Sequence, residues 1–198
     1  MSAPPLPLFL KVGGRSVVLV GAGNVAWWKL EALLASGADV TVVSPELRPE
    51  FESAPVTIVR RAFQESDLDG AWLAVAAAPP EVNRHVAEAG AARKIFVNAV
   101  DDPPHASAYA GSVLRRDGVT AVLVAISTAG EAPALSRLLR EGLDELLPAD
   151  VGTWNDAARA LRRGWRDARV PIEKRRPLLL DALNRLYERA RGTAEAAP

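Results

Sequence analysis

Residues 16–29 read SVVLVGAGNVAWWK, and this stretch decides the fold. Val17, Val18, Leu19 and Val20 form a continuous aliphatic, mostly β-branched run, the composition of a parallel strand buried on both faces. Gly21-Ala22-Gly23 then turns the chain, and an amphipathic segment begins near Trp27. A glycine-rich turn between a buried strand and a helix N-terminus aims backbone N–H groups and the positive end of the helix dipole at one spot. The spacing is G-x-G-x-x-A, in which Gly21 makes the tight turn, Gly23 lets phosphate oxygens approach the backbone, and Ala26 lets the helix pack closely on the sheet. A ligand-free strand-to-helix turn can carry the same string, so context has to decide. A second β-branched run follows at residues 40–43, after a helix-length segment that stops at Ser36-Gly37. Strand, helix and strand together make a βαβ unit of about 30 residues.

The end of the second run selects the nucleotide. An acidic side chain there hydrogen-bonds an adenosine ribose, whereas a basic cluster accommodates the 2′-phosphate of NADP. The chain reads Val43-Ser44-Pro45-Glu46. Ser44 offers a hydroxyl to a ribose and Glu46 is close enough to repel a phosphate, while Arg48, the one residue favouring NADP, lies beyond the expected contact. NAD is therefore the expected cofactor, with Gly21, Gly23, Asn24, Val25, Ser44, Pro45 and Glu46 as candidate contacts. Ala76, Ala77 and Ala78 end a later strand with three small residues, which suits a close approach of backbone to nucleotide and adds Ala77 and Ala78. Tight packing against a helix would use the same residues.

Composition bounds the rest. An apolar fraction of 49% suffices for a real core, and 24 basic against 24 acidic residues give no basic surface for nucleic acid. The absence of cysteine excludes disulfides, iron–sulfur ligation and thiol catalysis, and two histidines, His85 and His105, are too few for a preformed transition-metal site. No metal is expected. The apolar residues 3–10 hold three prolines, lack a basic flank and are too short to span a bilayer, so no membrane association and a cytoplasmic location are expected.

Strands are expected at residues 17–20, 40–43, 56–59, 72–76 and 95–98, and helices at 25–36 and 80–92. This is the rhythm of an α/β, Rossmann-like, doubly wound parallel sheet. Asp102-Pro103-Pro104 interrupts it. Runs at 110–115 and 120–126 flank Asp117-Gly118, a signal for an antiparallel hairpin. A helix over 134–147 puts Leu135, Leu138, Leu139, Leu143, Leu146 and Leu147 on one face that needs a partner. Residues 154–190 read as helical, split at Val170-Pro171, with Trp154 and Trp165 sharing a face. Their arginine runs suit either a solvated face or an anionic substrate.

An ordered set of motifs then emerges: Gly21 to Lys29, Asn98-Ala99-Val100-Asp101 after the fifth strand, Ser127-Thr128-Ala129-Gly130-Glu131-Ala132-Pro133 after the hairpin, and Leu138-Leu139-Arg140-Glu141 in the next helix. Together they resemble the precorrin-2 dehydrogenase family, the dehydrogenase part of sirohaem synthases, over roughly residues 5–185. The resemblance implies NAD-dependent, two-electron oxidation of precorrin-2 to sirohydrochlorin on the way to sirohaem or cobalamin. It implies a tetrapyrrole substrate and a homodimer whose hairpin and helix interlock between subunits. Some members also insert ferrous iron, and some carry a C-terminal methyltransferase; with the chain ending at Pro198, that methylating activity is not expected here. The expected organisation is an NAD-binding Rossmann domain at 1–112, a hairpin-plus-helix dimerisation region at 113–148, a C-terminal helical domain at 149–191 and, from its Ala-rich composition, a disordered tail at 192–198.

Oxidising a reduced tetrapyrrole requires a hydride acceptor and a group to take the accompanying proton. Asp101 lies just past the carboxyl end of a parallel strand, where ligands bind in such sheets, and it matches the family's catalytic aspartate. It is the expected general base, while Asp102 suits the role of turn initiator. Ser127 and Thr128 are either turn residues or hydroxyls that, with Gly130 and its neighbours' N–H groups, hold a carboxylate arm of the substrate. His105, Ser107 and Arg137 are further candidate substrate contacts, and Asn98 either joins them or ties the strand end to the loop. The chain departs from the family's usual pattern at Trp28, Ala108, Gly111 and Ala132. Two other readings stay open: a bifunctional dehydrogenase and iron chelatase, and a non-catalytic nucleotide-sensing or tetrapyrrole-carrying protein.

Overall fold

The computed structural model describes residues 5–116 and 122–195. Contacts divide the chain into two compact units, one running to Gly111 and including Ser127–Pro133, the other made of Ser112–Ile126 and the chain from Ala134 onward.

The first unit holds five parallel strands, β1 (Ser16–Val20), β2 (Asp39–Val43), β3 (Thr57–Val59), β4 (Leu73–Ala76) and β5 (Phe96–Ala99), in the order β3-β2-β1-β4-β5. The helix α1 (Asn24–Ala35) follows β1 and α2 (Pro80–Ala92) follows β4. Successive side chains of a strand point to opposite faces, so β1 feeds two cores at once. Val17 and Leu19 join Ala26, Leu30, Leu33 and Phe51, whereas Val18 and Val20 join Leu68, Val86, Ala87 and Val97. Burying each such valine, leucine or phenylalanine contributes about 1.5–3 kcal/mol, which explains why the run is continuous rather than alternating. The strand order reverses between β1 and β4, the place where open α/β sheets leave a crevice at the carboxyl ends of their strands.

The strands and helices expected up to residue 100 form within one or two residues of their expected bounds. Two short 3-10 turns stand between these elements, at Pro49–Ser53 and Glu65–Leu68. Each drops one large side chain, Phe51 or Leu68, into a core. The free edge of β5 is covered by its own following loop, where the Ser107 and Ala108 N–H groups both donate to the Val97 carbonyl.

In the second unit β6 (Ser112–Arg116) pairs antiparallel with β7 (Val122–Ile126), Ser112 facing Ile126 and Arg116 facing Val122. The Asp117-Gly118 turn expected between them lies outside the described residues. Helices α3 (Pro133–Leu146), α4 (Val151–Asp167) and α5 (Ile172–Glu195) follow. Arg116 reaches from the hairpin to α3, bonding the Asp144 carboxylate at 2.5 Å and its carbonyl at 2.8 Å. The break between α4 and α5 falls at Val170-Pro171, as expected. Helix α5 runs on to Glu195, into the segment expected as a tail, and residues 196–198 lie outside the described residues. Leu135, Leu138, Leu139 and Leu146 of α3 are all exposed. Among the described residues no helix is long and apolar enough to cross a membrane.

Candidate active site

Gly21 leaves β1 with φ +101°, a conformation that L side chains rarely adopt. A Cβ there would lie 2.3 Å from the Ala77 carbonyl oxygen, so only glycine lets the end of β1 pass the end of β4. The turn is fastened on both sides: the Gly21 N–H donates to the Val43 carbonyl at 2.9 Å, and the Ala77 N–H to the Val20 carbonyl at 2.8 Å. Gly23 is different, because a Cβ would meet nothing within 4 Å. It is the N-cap of α1, no side chain caps that end, and the first turn carries no acidic residue. A twelve-residue helix therefore presents unpaired N–H groups and its positive dipole end beside open space.

That space is a cavity of about 610 Å³ within the first unit. Gly21, Gly23, Ser44, Pro45, Glu46, Ala77 and Ala78, all candidate contacts by sequence, line it. Asn24 and Val25 stand in the first turn of α1 and do not line it. The Ser44 hydroxyl donates to the Glu46 carbonyl at 2.6 Å, which shapes the β2 loop and leaves its lone pairs for a ligand. Arg48, Phe63 and Val82 line the cavity as well and were not anticipated. Their only warning in the sequence was the nearness of Arg48 to the strand end, five residues beyond Val43. An uncapped helix N-terminus, a side-chain-free approach at Gly23 and apolar walls from Phe63 and Val82 fit a dinucleotide.

The second half of the site lies past β5. The Val100 N–H donates to the Ala76 carbonyl at 2.9 Å, and the Val100 carbonyl accepts from Asn83 Nδ2 at 3.2 Å. Asn83 is 4% exposed, and its Oδ1 accepts the Ala78 N–H at 2.9 Å. One buried amide thus ties the cavity wall to the residue before Asp101. Asp101 itself is exposed and sits at φ 56°. Aspartate tolerates this left-handed conformation better than most residues, and such positions persist only where neighbours hold them. On α1, burial pulls the Lys29 ammonium below the ordinary lysine range, and the Asp101 carboxylate partly restores it. Asn83 and Lys29 were missed as site residues; an asparagine and a lysine within helices have no local signal.

The loop after Asp101 begins with a turn in which the Asp102 carbonyl accepts from His105 and Ala106, the initiating role expected of Asp102. His105 Nδ1 lies 2.7 Å from Asp102 Oδ1. Ser107 Oγ accepts the Val97 N–H at 2.8 Å, and Asn98 Nδ2 donates to the Ala108 carbonyl at 3.0 Å, so both fasten the loop to β5. Asn98 Oδ1 is buried without a partner. Ser127 Oγ accepts the Ala129 N–H and Thr128 Oγ1 the Ala132 N–H, each at 3.1 Å, which leaves both hydroxyl protons free to donate. Gly130, at φ +82°, packs on the same loop, where a Cβ would lie 2.9 Å from Pro103 Cγ. The structure thus brings the turn at 127–130 against the loop that follows Asp101. Arg137 belongs to the second unit, where it pairs with Glu141 at 3.1 Å.

Residues 8–112 match the model of a family described as putative NAD(P)-binding. A siroheme synthase of Citrobacter koseri is 43% identical over 152 residues, covering 74% of this chain and 33% of that protein. Siroheme synthase 2 of Aeromonas salmonicida is 39% identical over 188 residues, covering 93% of this chain and 37% of that protein. The chain spans about a third of the length of these relatives. The solved structure of SirC, a precorrin-2 dehydrogenase, matches with a TM-score of 0.68 at 24% identity, covering 89% of this chain and 88% of that one. At that identity the likeness speaks for the fold.

Proposed function

The chain belongs to the NAD(P)-binding family matched by residues 8–112 and is homologous to the siroheme synthases and precorrin-2 dehydrogenases, and on that premise we propose that it oxidises precorrin-2 to sirohydrochlorin with NAD. The observation that carries this reading is the continuity of the site: one side chain, Asn83, bonds both the wall of the nucleotide cavity and the residue preceding Asp101.

A nicotinamide dinucleotide held in this cavity would supply the hydride acceptor that oxidation of the reduced tetrapyrrole needs. Asp101 takes the accompanying proton as general base, from a strand-end position that needs no movement of the sheet. The helix N-terminus at Gly23 and the cavity walls at Gly21, Ser44, Pro45, Glu46, Ala77 and Ala78 hold the dinucleotide, with Asn24 and Val25 contributing their N–H groups. The hydroxyls of Ser127 and Thr128, with Gly130 and His105, bind the carboxylate arms of the substrate. Asn98 and Ser107 support these contacts by fixing the loop.

We further propose that the chain acts in the cytoplasm as a homodimer. The exposed leucines of α3 support the dimer, since they form an apolar stripe on an otherwise polar helix. The test is anaerobic incubation of the full chain with precorrin-2 and NAD, following absorbance of NADH and of sirohydrochlorin. Stoichiometric appearance of both is expected; tight NAD binding without oxidation would overturn the reaction and favour a carrier.

A further inference from the structure

Arg48 stands at the rim of the nucleotide cavity, near the ribose end, and by sequence alone it argues for NADP. Its surroundings reverse that sign. The guanidinium makes a two-pronged contact with the Glu50 carboxylate, Nε to Oε2 at 3.2 Å and Nη2 to Oε1, and Nη1 donates to Asn24 Oδ1. Each of its three nitrogens therefore already has an acceptor. The backbone is anchored as well, since the Arg48 N–H points to the Ala22 carbonyl at 3.4 Å and Pro49 opens the 3-10 turn that carries Glu50. Glu46 adds a carboxylate to the same wall.

We infer that Glu50 sets the preference for NAD over NADP by engaging Arg48 and denying its guanidinium to a 2′-phosphate. A 2′-phosphate is best received by the same planar fork of donors that Glu50 occupies, so the two anions compete for one cation. With Glu50 in place the rim carries two carboxylates against one guanidinium, a field that repels the extra phosphate. Glu50 stays ionised, because its own amide N–H and Arg48 hold its carboxyl below the ordinary range. The inference rests on the reading of the cavity as a dinucleotide site.

Calorimetric titration of the full chain with NAD and with NADP tests it without any turnover. Removal of the carboxylate in Glu50→Ala frees both guanidinium nitrogens of the two-pronged contact, so NADP affinity is expected to rise about ten-fold while NAD affinity changes by less than about two-fold. Glu50→Gln keeps the shape of the turn and is expected to give a smaller gain in the same direction, which preserves the test should the alanine variant fold poorly. The gain should vanish in the double variant Arg48→Ala/Glu50→Ala. An unchanged NADP to NAD ratio in both single variants, or a gain that survives removal of Arg48, would overturn the inference. Failure of the unaltered chain to bind either nucleotide would instead remove the reading of the cavity itself.

Discussion

Gly21 and Gly23 stand two residues apart in one turn and meet different constraints. At Gly21 an added methyl collides with the Ala77 carbonyl in a left-handed backbone, so Gly21→Ala is expected to lower unfolding free energy by about 2 kcal/mol or more, measured by denaturant titration. At Gly23 the methyl enters open space. Gly23→Ala should leave stability within about 0.5 kcal/mol while weakening NAD binding about ten-fold, because the methyl occupies the approach of the phosphates. Asp101→Asn retains the tolerance for left-handed backbone and removes the carboxylate proposed as the base. It is expected to lower kcat/KM by about 10²- to 10⁴-fold with NAD affinity unchanged; near-normal turnover would reassign the base. Legibility differed among these residues for a physical reason. Gly21, Gly23 and Asp101 act where the chain itself changes element, which the sequence marks. Asn83, Lys29 and Arg48 act across space, and only the strand order brings the ends of β4 and β5 beside α2, or the β2 loop beside α1.

Among the elements, the parallel strands were legible because burial on both faces demands uninterrupted aliphatic runs. The 3-10 turn at Pro49–Ser53 was not, since five residues burying a single side chain have no periodicity to detect. The turn at Glu65–Leu68 is stabilised by charge. Asp67 accepts the Gln64 N–H at 2.8 Å and meets Arg61 at 2.5 Å, and the Arg61 guanidinium is the chief cause holding its carboxyl below the ordinary range. A carboxyl depressed in the folded state contributes stability above its unfolded value, and that contribution is lost as pH falls through the folded value, because the unfolded chain then binds protons more readily. Acid unfolding should therefore steepen below the ordinary carboxylate range. In Asp67→Asn that limb is expected to flatten, with neutral-pH stability lower by about 1 kcal/mol from the lost cap, as read from thermal unfolding across pH.

At the scale of the molecule, the amphipathic α3 was legible as a face in need of a partner, and within one chain its leucines are indeed exposed. Leu138 is 64% exposed, so a charge there should cost the monomer little. If the proposed homodimer forms through α3, Leu138→Glu is expected to halve the mass measured by light scattering while leaving NAD binding intact; an unchanged mass would overturn α3 as the dimer face. The division of the chain into units was less legible, because contiguity in sequence is not what defines them. The first unit is interrupted: the chain leaves it after Gly111 and returns for Ser127–Pro133. Gly130 covers Pro103 and Tyr109 from that returning segment. During synthesis, which delivers the N-terminal part first, the sheet can assemble on the ribosome while the loop after Asp101 still lacks its cover. That loop is completed only once residue 133 has emerged, so a truncation at residue 112, where the family match ends, would release a sheet with an unfinished reaction loop.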